Sequence, residues 1–420
     1  MFNQIQNVNS NWISEQKSLL IDSQLLFQNI NPDFGIKLQE FIERLSSLNS
    51  KNQDSFYKDH VFHKWLNEIK TEVLIAYENN GHQINFEQVS TIVELLNLSV
   101  AVLSQVEFEF TFDSSGISKF LIPVSGFYFD FNSIGKANQK ILCKYFPNST
   151  SIEIDNVKYP FSKFKGFESI KIADSNFDFF ADPTGDEYNI DFDNEIDLPL
   201  WISTLDKALD IIRTNESSYE LVSNFASYLV PLKQKEVVKN LSFSVRNLPS
   251  VIFKNNELNP YLIGETLVHE SDHQLFYAIE KFDKFWKEDI KLQQPIYLSP
   301  WRDDPRPLDG ILRGLSSFAR VSQYYSTAIR TYDFTEQQFE QVGLMLLTRL
   351  KESELALNTV LESQQLSDFG FQYTNEIQET LNSVNAVAKT FHQYDRWNQH
   401  ATKSIKSHTE NWELINHANG

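Results

Sequence analysis

The residues with the plainest chemistry are His269, Glu270 and His273, in the run Thr266-Leu267-Val268-His269-Glu270-Ser271-Asp272-His273-Gln274-Leu275-Phe276-Tyr277-Ala278-Ile279. This is a His-Glu-x-x-His motif with neither Gly nor Pro between Thr266 and Ile279. Residues four apart on a helix share a face, with Cβ atoms about 5–6 Å apart, so His269 and His273 can hold one metal ion together. Glu270 projects roughly 100° further around the helix, beside the metal rather than in line with the imidazoles. Leu267, Val268, Leu275, Phe276 and Ile279 surround the three with apolar surface. Two imidazoles and a carboxylate inside such a helix are costly to bury without partners, and a metal is the natural partner. The motif alone arises by chance in on the order of one chain in a hundred; its helical context and apolar flanks set it apart.

A second charged stretch follows, Tyr297-Leu298-Ser299-Pro300-Trp301-Arg302-Asp303-Asp304-Pro305-Arg306-Pro307-Leu308-Asp309-Gly310. Its prolines fix φ and reduce the freedom of the loop, which suits a site that must hold polar groups in place. The plainer alternative is a surface turn with local ion pairs.

The elements around these stretches read as an α+β fold, mainly helical, in which the metal-binding helix packs with further helices and a small β-rich region. Apolar residues at three and four spacing predict helices over Trp12–Ile30, Phe34–Leu48, Val61–Tyr77 and Phe86–Gln105, giving a helical region 1–105. From 106 to 197 the pattern alternates, and Val106–Phe112, Phe127–Phe131, Ser151–Ile154 and Ile170–Ile172 are expected as strands. The acidic run Asp178–Asp197 is expected as a solvated loop. Asp191 and Asp193 open like a calcium loop, but Ile196 stands where that loop needs Gly. The remainder, 198–420, is expected as a mainly helical metal-binding catalytic domain. Helices are predicted over Leu198–Arg213 and Tyr219–Leu229, the latter ended by Pro231. Two short strands, Leu241–Val245 and Ser250–Phe253, precede the metal helix, and long helices cover Ile311–Thr331, Phe339–Gln364 and Tyr373–Gln393. A strand edge beside a metal helix is one way to hold an extended peptide. His60 and His63 read as a surface pair near a helix start. His392, His400 and His408 drift by about 80° per step on a straight helix and cannot share a metal; with His417 they read as ordinary histidines.

Composition narrows the function further. The 420 residues carry a formal charge of −19, which argues against nucleic acid and against an anionic membrane surface. Cys143 is the only cysteine, so no intramolecular disulfide forms, in keeping with a reducing cytoplasm. The N-terminus lacks the basic and apolar segments of a secretory signal, and no apolar run of about 18 residues is present. A cytoplasmic location is therefore expected. Nothing in the sequence indicates an oligomeric state.

Taken together and in this order, Leu267-Val268-His269-Glu270-Ser271-Asp272-His273 and Trp301-Arg302-Asp303-Asp304-Pro305-Arg306-Pro307-Leu308 resemble the α-ketoglutarate-dependent HExxH peptide β-hydroxylases of peptide natural-product clusters. Val230-Pro231-Leu232 and the strand Leu241–Val245 add to the resemblance, which covers roughly residues 200–330. It implies an Fe(II) enzyme that uses α-ketoglutarate and O₂ to hydroxylate a β-carbon in a ribosomally made precursor peptide. Such an iron takes two histidines and a third ligand. His269 and His273 supply two; Asp304 is the preferred third, followed by Asp309 and then Glu280. Glu280 lies about 10 Å further along the helix axis. The distal carboxylate of α-ketoglutarate calls for an arginine, with Arg306 or Arg302 preferred and Arg313 next. Glu270 would orient a ligand or water. One position departs from the family's pattern: Arg313 stands in the helix after Pro-Arg-Pro where that pattern has His or Gln. The competing reading is a zinc metallopeptidase, with Glu270 as general base on zinc-bound water; the Arg-rich loop has no obvious task there. A non-catalytic peptide-binding protein with a relic metal helix is a third class.

Overall fold

The computed structural model describes residues 2–78, 86–113, 119–131, 140–167, 170–173, 197–233, 241–246, 248–255, 258–287 and 296–417. The chain divides into two compact units. One comprises Gln6–Asn194 with Asn247–Val251; the other comprises Glu195–Arg246 and Ile252–Gly420 with the first residues of the chain. The stretches 1–105 and 106–197, read from sequence as separate regions, thus fall almost wholly in one unit. The chain is mainly helical with small sheets, an α+β arrangement. Among the described residues no helix is long and apolar enough to cross a membrane.

The first unit carries helices α1 (Phe2–Ile30), α2 (Pro32–Ser47), α3 (Ser50–Lys58), α4 (His60–Glu78) and α5 (Phe86–Ser104). Strands β1 (Phe108–Asp113), β2 (Lys119–Leu121), β3 (Phe127–Asp130), β4 (Lys140–Phe146), β5 (Ser151–Ile154), β6 (Val157–Pro160), β7 (Ser162–Lys163), β8 (Lys165–Phe167) and β9 (Ile170–Ile172) follow. Antiparallel pairing gives a sheet in the order β1-β4-β5-β6, a second in the order β2-β3-β7, and a β8-β9 hairpin. Leu95, Leu98 and Val102 of α5 pack with Phe108, Phe110, Phe129, Cys143 and Tyr145 into one core, so the abundant phenylalanines are core residues here. Helix α3 was not expected, because its only buried residues, Phe56 and Tyr57, sit at its end. Strand β4 was also missed, since Leu142 points outward and breaks the alternation. His63 is buried rather than a surface residue; its Nδ1 lies 3.2 Å from Gln16 Oε1 and its Nε2 2.9 Å from Asn67 Nδ2. The acidic run lies outside the described residues apart from Asp197, whose side chain accepts from the Leu200 N–H at the start of the next helix.

The second unit contains α6 (Leu198–Arg213), α7 (Glu216–Phe225), β10 (Tyr228–Leu232), β11 (Ser242–Phe243), β12 (Val251–Asn255), α8 (Pro260–Ile279), α9 (Leu308–Thr331), α10 (Glu336–Glu362), α11 (Asp368–Ala388) and α12 (Tyr394–His417). The helix expected over Tyr219–Leu229 stops at Phe225, and Tyr228–Leu232 is a strand. All five residues of β10 are buried, and a short continuous apolar run has no periodicity to separate strand from helix. β12 lies between β10 and β11, with Ser242 opposite Lys254 and Phe243 opposite Phe253.

Helix α8 carries the motif and is the central element of this unit, packed against α6, α7 and α9. Asn259 caps it by accepting from the Tyr261 N–H, with Pro260 in its first turn. α8 is enclosed although it carries the buried polar residues Glu265, Glu270, Ser271, Asp272 and Gln274, so its polar side chains need partners within the protein. Gly264 allows α9 to approach: a Cβ there would lie 2.2 Å from the Tyr324 hydroxyl, which instead donates to the Tyr261 carbonyl at 3.2 Å.

Candidate metal and ligand site

Enclosure of α8 is interrupted along one stripe. From Ile263 to Ile279 every residue is buried except His269, His273 and Tyr277. These recur every four residues and so share one face. The two imidazoles meet edge to face with centroids 4.5 Å apart, and Phe318 of α9 lies 4.5 Å from His269. Burial first of all pushes His269 down to about 4, with Arg349 adding and Glu265 opposing. Burial, then His269 and Arg313, pushes His273 well below the usual imidazole value. Both rings are therefore neutral at physiological pH, the form that ligates metals.

Glu270 points elsewhere. One carboxylate oxygen accepts from Ser242 Oγ of β11 at 2.9 Å and the other from Ser244 Oγ at 2.9 Å. Burial pushes this carboxyl up to about 7, against the lowering effect of the two serines and Lys254. The β11 segment thus serves as a hydrogen-bonding partner for the motif glutamate, and both carboxylate oxygens are engaged.

Asp272, one of the two residues between Glu270 and His273 to which the sequence assigned no role, is wholly buried. Its Oδ1 pairs with Arg320 of α9, itself 2% exposed. Its Oδ2 accepts from Ser316 Oγ at 2.6 Å and Ser317 Oγ at 3.2 Å. Ser316 also meets the Tyr373 hydroxyl of α11 at 2.6 Å, and Ser317 Oγ lies 3.0 Å from His273 Nδ1. A buried ion pair is costly to form, and breaking one by removing a partner costs about 3–5 kcal/mol. Ser316, Ser317 and Arg320 escaped the sequence reading. In the sequence they are one polar group among several on an amphipathic helix, and nothing there singles them out.

A second polar cluster flanks the stripe. Glu265, one turn before His269, accepts from Arg349 Nε at 2.9 Å and from the Tyr325 hydroxyl at 2.6 Å. Arg349 also pairs with Glu352 at 2.9 Å, and its guanidinium lies 4.6 Å from the Phe318 centroid.

The charged loop joins the site through its tryptophan. Trp301 stacks on Phe318 at 4.9 Å and lies over Gly314, where a Cβ would approach within 2.5 Å. Tyr297 and Arg306 close the loop with reciprocal backbone hydrogen bonds of 3.0 and 2.9 Å. His408 of α12 approaches it too, its Nε2 2.7 Å from the Ser299 carbonyl and its Nδ1 3.6 Å from Asp303. A histidine with no evident task in the sequence is thus a loop contact.

The candidate third ligands are placed as follows. Asp304 is exposed and held between Arg302 Nε at 2.9 Å and Arg306 Nε at 3.0 Å. The slight burial raises its carboxyl, but the two arginines outweigh that and hold it below the usual range. Asp309 Oδ2 pairs with Arg313 at 3.2 Å, and Glu280 pairs with Arg246. Among the described residues no three His, Cys, Asp or Glu side chains are grouped to hold a metal ion. The structure therefore brings together His269 and His273 but leaves Asp304 in an ion-paired loop.

Of the three arginines, Arg313 comes nearest the histidines. It is close enough to disfavour protonation of His273, and its guanidinium lies 4.9 Å from the Tyr277 centroid. Its Nε is buried without a hydrogen-bond partner. Arg302 and Arg306 both pair with Asp304 in the loop, as Arg313 pairs with Asp309.

The chemistry of the two histidines suits a metal. His269 Nδ1 is a buried nitrogen without a hydrogen-bond partner, and His273 Nδ1 is held from outside by Ser317, as ligating imidazoles are. Two ligand positions are thus available. No family model matches this chain, and no curated protein is similar to it.

Proposed function

We propose that this protein is an Fe(II)- and α-ketoglutarate-dependent hydroxylase of a peptide β-carbon, with His269 and His273 as metal ligands and Arg313 as the arginine that meets the distal carboxylate of the keto acid. The observation that carries this reading is the half-buried stripe of α8, where two neutral imidazoles share one face and the Arg313 guanidinium of α9 lies 4.9 Å from the centroid of Tyr277 on the same stripe. The engagement of Glu270 supports it. A general base must reach the metal-bound water, whereas both Glu270 oxygens accept from serine hydroxyls, Ser242 on β11 and Ser244 just after it. When bound, iron with α-ketoglutarate and O₂ would supply the oxidative chemistry at an unactivated C–H bond. The chain's own residues would do the rest. The histidines bind, Ser317 orients His273, Arg313 pairs with a carboxylate, and Trp301 and Phe318 keep water from the rings.

The test is metal content and uncoupled turnover. Protein reconstituted anaerobically with Fe(II) and then given α-ketoglutarate and O₂ should release succinate, and His269→Ala or His273→Ala should abolish both iron retention and succinate while leaving the helical circular dichroism intact. Full iron occupancy in both variants by elemental analysis, or zinc binding with cleavage of casein by the parent, would remove the proposal.

A further inference from the structure

We infer that Asp272 is a positioning residue that sets the tautomer of His273 through the Ser317 hydroxyl, turning the Nε2 lone pair of that ring outward. The inference rests on the proposed metal site for its purpose, but not for its geometry. A serine hydroxyl has one proton. Ser317 gives it to Asp272 Oδ2 at 3.2 Å, an oxygen of a carboxylate whose other oxygen pairs with Arg320. With its proton committed, Ser317 Oγ meets His273 Nδ1 at 3.0 Å only as an acceptor. His273 must then carry its proton on Nδ1, and a neutral imidazole protonated on Nδ1 leaves Nε2 as the free donor atom. Were Asp272 an amide donating to Ser317, the hydroxyl would turn to His273, the proton would move to Nε2, and that nitrogen could no longer ligate.

The surroundings hold this direction. Ser316 donates to the same Oδ2 at 2.6 Å and meets the Tyr373 hydroxyl at 2.6 Å. Asp272, Ser316, Ser317 and Arg320 are all 2% exposed or less, so water does not compete for these bonds. Residues of α8 and α9 thus meet at one carboxylate, α11 reaches it through Ser316, and among the described residues the ring nitrogen bonded to this network belongs to a motif histidine.

The experiment uses the full chain without metal, labelled with ¹⁵N at histidine, and long-range ¹H–¹⁵N correlation spectra. The His273 signals are assigned by their loss in His273→Gln. The parent should show a protonated Nδ1 and an unprotonated Nε2 at His273. Asp272→Asn should move the proton to Nε2. Because that change also strips Arg320 of its partner and can unfold the protein, Ser317→Ala is the second variant. It leaves the Asp272–Arg320 pair in place and should yield a mixture of tautomers, with Ser317→Thr restoring the parental one. Titration with Co(II) should show affinity down by about 10–100-fold in Ser317→Ala, as for other partners of ligating histidines, and near-parental affinity in Ser317→Thr. An Nε2-protonated His273 in the parent, or a parental spectrum in Ser317→Ala, overturns the inference. If the tautomer is as inferred but Co(II) does not bind the parent, the proposed metal site fails and the positioning of His273 stands.

Discussion

The Trp301 indole stacks on the Phe318 ring at 4.9 Å, and this contact joins the charged loop to the motif helix. Phe318 lies 4.5 Å from His269 on one side and under the Arg349 guanidinium on another. Two stretches some thirty residues apart thus meet through one aromatic residue of α9. Loop position and ring environment at His269 are coupled through that residue, so disturbing either should be felt by the other.

That coupling can be tested at Gly314. A Cβ added there would lie 2.5 Å from Trp301 Cζ3, far inside contact distance, so the indole must shift. Gly314→Ala should destabilise the protein by about 1–3 kcal/mol, the usual cost of overpacking. Urea unfolding followed by circular dichroism measures this, and parental stability would show that Trp301 does not hold its stacked position.

The arginines separate by neighbourhood. Arg313→Ala should weaken α-ketoglutarate binding by about 2–5 kcal/mol, the loss expected for one partner of a desolvated charge pair, with iron still held. Arg313→Lys should recover only part, because a lysine cannot form the two parallel bonds. Arg306→Ala, which breaks an ion pair to the exposed Asp304, should bind the keto acid much as the parent does. Anaerobic titration in the presence of Fe(II) reads all three, and a larger loss in Arg306→Ala than in Arg313→Ala would return the clamp to the loop.

Glu270→Gln distinguishes the two kinds of chemistry. Gln keeps the shape and can still bond to Ser242 and Ser244, but it cannot take a proton. Loss of a general base costs about 10²–10⁴-fold, whereas a residue that only braces α8 against β11 leaves succinate formation within an order of magnitude. Near-complete loss of turnover with metal and α-ketoglutarate still bound would favour a hydrolytic enzyme.

Cys143 makes a prediction about the first unit. Burial, with Asp155 adding, pushes its thiol up to about 12 from 9.0, because the folded core disfavours the thiolate. The folded pKa lies above the unfolded one, so this contribution is fully present below pH 9 and is lost as pH rises through about 12. Over that window the change approaches about 4 kcal/mol. Relative to Cys143→Ala, the parent should hold a constant stability up to about pH 8 and then lose ground as the pH climbs toward 11. Urea unfolding at several pH values measures it, and a constant difference throughout would show that the thiol is not enclosed. Alkylation of the native protein near neutral pH should likewise be no faster than unfolding.

Much of the local structure was legible in the sequence. Leu198–Arg213 is a helix with the boundaries its periodicity indicates, and the motif lies on α8 with both histidines on one face, because a period near 3.6 sets faces without reference to the rest of the chain. The strands at Ser151–Ile154 and Ile170–Ile172 were equally plain. Where the local pattern is ambiguous, as in the wholly apolar Tyr228–Leu232, burial on all sides erases the period and the strand goes unseen. What a face meets is a different matter, settled by partners far away in the chain. Glu270 meets serines that lie 28 and 26 positions earlier, and Asp272 meets a serine 45 positions later. Whether Arg306 or Arg313 lies beside His273 likewise depended on how α9 packs against α8. The sequence by itself determined that two imidazoles share one side of a helix. The tertiary structure decided that this side is less covered than the rest, because the other faces of α8 are buried against α6, α7, α9 and the β11 segment while His269, His273 and Tyr277 are half-buried.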